Sequence, residues 1–406
     1  MNIRRSAALV AATVAIGAMG AQAATADSAS PSPKKVVPSG LYGKGDPTYD
    51  GVWRQSLALV AQDTVGVKPA QKAVDWLAGQ QCENGGFAAY RAEPGRACDK
   101  KTKIDSNATA AAVQALAAVG GRDGEVAAGV ERLVKTQNLD GGWGYSLGMA
   151  SDANSTAVVL GALAAAGKDP AKVTSHHDKT GTDALASLAL PCAKGKDGGA
   201  LAYQPDKKGE LAANADATAA GVLGALGTGF APDKGKAPDA YTCEDGKSAE
   251  AIAHNGAVYL QNQLDTHLYL KSQLAGSTDQ PDYGNTADAV TAVAAAEGIK
   301  ATKDSYTWLE KNAKGWAAQT GPAGYAELIF AAHATGNDPR DFGGTDLVAA
   351  LNKTGPEPAS TKSSASDSDE KKDDGGGGAN WWIIGVMFIA AVGAGFLLSG
   401  RKKQQP

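Results

Sequence analysis

The sequence predicts an all-α protein: an (α/α)6 toroid built from helical-hairpin repeats, followed by a C-terminal transmembrane helix. Three observations carry this. Alanine-rich segments such as NATAAAVQALAAVG and NSTAVVLGALAAAG recur, each opening on a polar residue and closing on a glycine thirteen residues later. Segments with an apolar stripe alternate with them. A long uncharged run stands near the end of the chain. Repeats of one supersecondary unit must stack to bury their apolar faces, so the period decides the architecture.

The alanine-rich segments run from Asn107 to Gly120, Asn154 to Gly167, Asp216 to Gly229 and Asn285 to Gly298. A fifth copy ends at Gly336 with Ala323 in the polar column, and Trp53 to Gln62 supplies a sixth. Apolar nearly all round, these helices are expected to be buried on every side, with small residues letting neighbours approach. The leading polar residue, Asp216 included, reads as an N-cap and the glycine as the helix stop. Between them lie Pro69 to Gln80, Gly124 to Gln137, Asp183 to Leu190, Ala249 to Leu264, Lys303 to Asn312 and Thr345 to Asn352. Their stripes, for example Trp76, Leu77, Val130 and Leu133, point inward and their charged residues face water. Six such hairpins close into a ring of inner helices with an outer layer; an open solenoid is the competing architecture.

Residues 1–26 have the make-up of a secretory signal peptide: Arg4 and Arg5, an apolar run from Ala7 to Ala18, and small residues for cleavage after Ala23 or Ala26. Residues 27–45 read as a disordered leader and 46–355 as the repeat domain. The Ser, Asp, Lys and Gly of 356–380 make a flexible stalk. Trp381 to Gly400 has the length to span a bilayer, opens on Trp381 and Trp382, and is stopped by Arg401, Lys402 and Lys403 in the basic tail 401–406. The basic flank belongs inside the cell. The expected address is therefore the cell membrane, single-pass, with the repeat domain outside.

Cysteine usage agrees with that address. Cys82, Cys98, Cys192 and Cys243 show neither a Cys-x-x-Cys nor a zinc-finger spacing. They are expected as disulfides, Cys82 with Cys98 and Cys192 with Cys243, each tying down one excursion between repeats; the other two connectivities stay open. A formal net charge of −4 without a long basic stretch in the repeat domain argues against nucleic acid.

VDWLAGQQCENGGF (Val74 to Phe87) and VERLVKTQNLDGGW (Val130 to Trp143) carry a family resemblance. They resemble the repeats of the prenyltransferase and squalene oxidase (squalene cyclase) superfamily, which includes protein prenyltransferase β subunits. PDYGNTADAVTAVAAAEG (Pro281 to Gly298) is similar to its secreted bacterial branch, and the resemblance covers roughly residues 45–355. Vitamin B12 carriers, with their α/α barrels, are similar in fold.

The resemblance implies a functional position. In the cyclases the proton donor is the middle acid of Asp-x-Asp-Asp-Thr-Ala at the start of an inner helix. Here Asp152-Ala153-Asn154-Ser155-Thr156-Ala157 falls on it with an amide and a hydroxyl at the two decisive places, and an amide cannot protonate an alkene. Asn214-Ala215-Asp216-Ala217 keeps only the middle acid, leaving Asp216 as the one catalytic candidate. The prenyltransferases hold zinc with an Asp-x-Cys pair and a histidine; no cysteine occupies this column, and no metal site is expected.

What remains suits binding. Asn107, Asn154, Thr156, Asp216, Asn285 and Asp288 would crowd one rim of the ring, with Trp143, Tyr145, Tyr203 and Tyr283 in the adjoining turns. Convergent amides and aromatics suit a large ligand. The expected function is a membrane-tethered, non-catalytic extracellular binding protein. Cobalamin is the specific ligand the B12-carrier resemblance implies, and a membrane transporter or cell-wall component the partner class. The alternatives are a cyclase- or prenyltransferase-type enzyme with a degenerate motif, and a structural cell-surface protein.

Overall fold

The computed structural model describes residues 37–361 except 239 and 274–277. The expected signal peptide, the transmembrane helix 381–400 and most of the stalk lie outside the described residues. Within them no helix is long and apolar enough to cross a membrane.

Thirteen helices make up the described fold. Six form the inner layer: α1 (Gly51–Thr64), α3 (Ser106–Val119), α5 (Ala153–Ala165), α7 (Ala215–Leu226), α9 (Tyr283–Glu297) and α12 (Pro322–Ala334). Each packs on the next, and α12 packs back on α1, so the six close into a ring. Alanine, glycine and valine line the contacts: every residue of α5 from Ala153 to Leu163 is buried. Side chains this small let helix axes approach closely, which a leucine-rich helix would prevent.

The outer layer is α2 (Gln71–Gly79), α4 (Asp123–Lys135), α6 (Gly181–Leu188), α8 (Ala249–His267), α10 (Lys303–Asn312) with α11 (Lys314–Thr320), and α13 (Leu347–Asn352). Most of these helices bury one stripe, as in α4, where Gly129, Val130 and Leu133 face inward, whereas α8 is buried at every position from Asn255 to Leu260. Apolar burial along such a stripe is the main favourable term holding the layers together.

A Gly-Gly-aromatic turn joins outer to inner helix. Gly141 there has φ +91°, and a Cβ on it would lie 2.1 Å from the Thr180 carbonyl oxygen. No side chain fits that approach. Gln137 Nε2 closes the same turn on the Gly141 carbonyl at 2.8 Å, and Gln81 does so on Gly85 at 3.0 Å. The recurring glutamine is therefore a turn clasp.

Two boundaries move outward from the sequence reading. Residues 37–45, expected as disordered leader, dock on the ring: Tyr42 is fully buried and its N–H donates to Gln55 Oε1 at 2.8 Å. The Tyr42 hydroxyl lies 3.1 Å from both Gln62 Oε1 and the Pro356 carbonyl oxygen. At the other end β4 (Ser360–Thr361), expected as stalk, pairs antiparallel with β1 (Val67–Lys68). An aromatic ring in the leader and free β1 backbone groups gave these short segments something to bury and something to bond. A second small ladder joins β2 (Leu270–Lys271) to β3 (Pro281–Asp282).

Both expected disulfides are present, Cys82–Cys98 and Cys192–Cys243, each with Cα atoms 5.6 Å apart. The second anchors the long connection from α7 to α8. His254 holds the same connection, with Nδ1 2.8 Å from Glu297 Oε1 and Nε2 2.9 Å from the Thr242 carbonyl oxygen.

The connection also enters the ring. α7 ends at Gly227, which takes the left-handed conformation, two residues before the glycine expected to stop it. The chain then turns so that Phe230 is fully buried, edge-on to Trp53 of α1 at 5.7 Å and stacked on Phe330 of α12 at 6.0 Å. In the ring α1 lies opposite α7 and α12 lies beyond α9. Phe230 is thus a plug in the lumen.

Candidate functional site

Four of the six inner helices, α3, α5, α7 and α9, share one register at their N-termini, and it differs from the sequence reading. The caps are Asp105, Asp152, Asn214 and Asp282, whose side chains accept from Ala108, Ser155, Ala217 and Asn285 N–H respectively. Asp216 is therefore not a cap; it sits two residues inside one. Extended backbone at residue 214 aims its side chain at the third N–H beyond it, the usual cap geometry.

Four residues after each cap stands a threonine facing the preceding turn. Thr109, Thr156, Thr218 and Thr286 accept from Phe87, Trp143, Leu201 and Leu270 N–H at 2.8–3.0 Å. This corrects two expected ligand contacts. Thr156 is fully buried in that role, and Trp143 is core, its indole N–H donating to the Leu133 carbonyl at 2.8 Å. Asn285 serves its own cap, donating to Asp282 Oδ2 at 2.9 Å.

Residues two and six beyond the cap lie on the opposite helix face, toward the lumen. The first level there holds Asn107, Asn154, Asp216 and Gly284. The second holds Asp288 and Glu327, on the neighbouring helices α9 and α12. Asn154 Nδ2 donates to Asp216 Oδ2 at 2.8 Å, linking α5 to α7. Asp216 keeps part of its surface open while its Oδ1 is closed off without a partner. Asn107 Oδ1, Asn154 Oδ1 and Asp288 Oδ1 are likewise buried and unpartnered.

Burial raises the proton affinity of Asp152, Asp216, Asp288 and Glu327 at this mouth. Burial raises Asp216 to about 6, against the Asn154 hydrogen bond, and the negative charges of Asp282 and Asp152 add to the rise. Asp152 is raised to about 6 by burial despite its bonds to Ser155. Burial carries Glu327 to about 8, with Asp282 and Asp216 adding to it. Asp288 is pushed well above the usual carboxylate range by burial, then by Glu327, Asp216 and Asp282. Desolvation disfavours the charged form of any carboxyl, and like charges reinforce it.

Tyrosines connect the rim. The Tyr145 side chain bonds Asp105 and the Tyr203 side chain bonds Asp152, each turn reaching back to the previous cap. Burial raises both phenols, and the carboxylates reinforce the rise. Tyr283 is instead part of a stack: Tyr269 lies on Trp308 at 4.7 Å, Trp308 on Tyr283 at 5.4 Å and Tyr283 on Trp316 at 6.1 Å. Gly284 lets Glu327 and Trp316 pack close beside it: a Cβ there would stand 3.2 Å from Glu327 Oε2 and 3.3 Å from Trp316 Cζ2, inside ordinary van der Waals contact.

The structure therefore gathers Asn107, Asn154, Asp216 and Asp288 and adds Glu327, Asp152 and Trp316, which sequence reasoning did not assign to the site. Glu327 carried a readable signal: a carboxylate inside PAGYAELIFAAHA, a helix otherwise nearly all apolar. Chemically, the mouth offers acceptor oxygens and exchangeable protons. No group of three or more His, Cys, Asp or Glu among the described residues is arranged to hold a metal ion.

No protein-family profile matches the chain, and no curated protein matches it. Among solved structures it is similar to a protein from Actinoplanes at 16% identity and TM-score 0.47, covering 74% of this chain and 94% of that one. A sugar epimerase from a ruminal bacterium aligns at 13% identity and TM-score 0.43, covering 67% and 80%. The ent-copalyl diphosphate synthase from Streptomyces platensis aligns at 16% identity and TM-score 0.45, over 70% of this chain and half (50%) of the synthase.

Proposed function

We propose that the chain is a membrane-tethered extracellular binding protein that takes a ligand at the lumen mouth without transforming it. One observation carries the reading: four buried acceptor oxygens, on Asn107, Asn154, Asp216 and Asp288, have no donor. Each costs about 1–3 kcal/mol unmet. A ligand bearing N–H or O–H groups would meet them once these side chains turn toward the mouth. Phe230 below makes the site a bowl at the mouth rather than a through-channel.

The disulfides fit an oxidising compartment. β4, the last described segment, pairs beside the C-terminal end of α1, opposite the mouth. A transporter or cell-wall component is the partner class proposed. A corrinoid is the specific ligand proposed, since its peripheral primary amides supply several donors at once. Titrating the full chain with cobalamin tests this. Binding heat with an absorbance shift supports the corrinoid, and neither signal at high concentration removes it.

A second reading, a cyclase-type enzyme, has one observation in its favour: Asp216 faces the lumen with its proton affinity raised. Against it, the ring of Phe230 occupies the space a folded polyprenoid would need. Product from squalene or a prenyl diphosphate that disappears in Asp216→Asn would establish the enzyme instead.

A further inference from the structure

We propose that the loop entering α5, together with the basic excursion beside it, docks the rim of the ring on an anionic lipid bilayer. This rests on the membrane-tethered reading above and gives the tethered domain an orientation.

The apolar half of this ridge comes from one stretch of chain. Among the large apolar side chains exposed in the described residues, Val134, Leu139, Tyr145, Leu147 and Met149 all fall between positions 134 and 149. Leu147 is 67% exposed and Leu139 53%. From Gly141 to Ser151 the sequence carries no charge. Asn138 Nδ2 donates to the Met149 carbonyl at 3.0 Å, which holds the tip bearing Leu139 against the loop bearing Leu147 and Met149. Apolar residues scattered singly over a surface need no explanation, whereas a contiguous group of them marks a contact.

The basic half adjoins it. The Ser106 N–H donates to the Tyr145 carbonyl at 2.8 Å, and Ile104 and Leu147 line one small cavity. The excursion stapled by Cys82–Cys98 therefore ends against the apolar loop. Lys100, Lys101 and Lys103 stand on it, all exposed. No ion pair among the described residues uses them. The carboxylates nearby are engaged locally: Asp99 accepts from the Lys101 and Thr102 N–H groups, and Asp140 from the Gly142 N–H and the Ser151 hydroxyl. Glu93 pairs with Arg96 and Glu131 with Lys135.

The combination selects the partner. Leu139 and Leu147, each more than half exposed, project from loops and line no groove, so they suit a medium that admits side chains one by one. Acyl chains are such a medium, and the phosphates above them answer the three ammonium groups. The tether permits the contact. Residues 362–380 extend at most about 65 Å, well beyond the depth of roughly 20 Å set by an inner helix such as α1, with its 14 residues.

The test is hydrogen exchange on the full chain held in lipid nanodiscs, one set of phosphatidylcholine and one containing an equal part of phosphatidylglycerol. Expected is exchange at least about tenfold slower over 100–104 and 144–150 beside the anionic lipid, no change beside phosphatidylcholine, and loss of the protection in high salt. Soluble glycerol phosphate should protect neither segment, because the contact is with a bilayer. Leu147→Asp should remove the protection while circular dichroism stays unchanged. So should Lys100→Glu, Lys101→Glu and Lys103→Glu combined, whereas arginine at the three positions should keep it. Equal exchange beside both lipids, or protection that survives the charge reversal, overturns the proposal. A chain that does not incorporate into phosphatidylcholine discs sinks the tether instead. Flotation of that chain with phosphatidylglycerol vesicles then decides the ridge: floating supports it, and remaining at the bottom overturns it.

Discussion

Asn154 of α5 donates through Nδ2 to Asp216 Oδ2 of α7 at 2.8 Å, and the cap of α7 is Asn214, not Asp216. The two residues therefore do separate work. Asn214→Ala removes the acceptor for the Ala217 N–H and should cost about 0.5–2 kcal/mol. Asp216→Asn should leave stability at pH 7 the same or higher, because a neutral amide replaces a carboxyl that resists ionising. Urea denaturation of both variants checks this; a large loss in Asp216→Asn would put the cap back at 216.

Stability should fall as pH rises from about 4 to about 8. Asp152, Asp216 and Glu327 have folded-state affinities for protons above their unfolded ones, with values of about 6, 6 and 8. The folded protein binds more protons in that window, so its advantage is complete below the unfolded values and lost as pH climbs through the folded ones. The midpoint of thermal unfolding should be higher at pH 5 than at pH 8, and Glu327→Gln should flatten the slope at its upper end. A rising midpoint across this range contradicts the cluster.

How much of this was legible follows from what kind of force places each residue. The alternation of buried and striped helices was readable because apolar period is local, and all six inner and six outer segments lie where the pattern puts them. The cap register was not. Asp105, Asp152 and Asn214 look in sequence like part of the same polar cluster as Asn107, Asn154 and Asp216, and only backbone geometry tells which one turns back on the helix. In α9 the spacing shifts by one, so aligning Asn285 with Asn154 hid Gly284, whose importance is the side chain it lacks. The meeting of Asp288 with Glu327 depends on the closed ring, and no local window contains both. Phe230 lies in a loop with no period at all.

The disulfides should differ in worth. Treating the intact protein with a thiol reagent should label nothing, since among the described residues no cysteine is free. Cys192–Cys243 closes 51 residues and Cys82–Cys98 closes 16. Loop-closure entropy makes loss of the longer bridge costlier by about 1 kcal/mol. Denaturation of Cys192→Ala/Cys243→Ala beside Cys82→Ala/Cys98→Ala measures the difference, and the reverse order would mean that strain or local packing outweighs chain entropy.

Gly141→Ala should be far worse than a loop substitution usually is. The added Cβ would overlap the Thr180 carbonyl while the backbone is held at positive φ. Moving the turn away would break the Trp143 N–H bond to Thr156 as well. The expected result is loss of soluble protein or a cost above about 2 kcal/mol, at the destabilising end for single substitutions. A cost of a few tenths would show that the turn can open without disturbing the helix behind it.

Phe230→Ala decides what the lumen is for. Removing the ring takes away its contacts with Trp53 and Phe330 and should cost about 3–5 kcal/mol, the usual range for a buried aromatic truncated to alanine. The space left would be lined by the rings of Trp53 and Phe330. Apolar cavities of that kind stay dry and accept small hydrocarbons. Benzene should therefore raise the thermal midpoint of the variant and leave the unsubstituted protein unchanged.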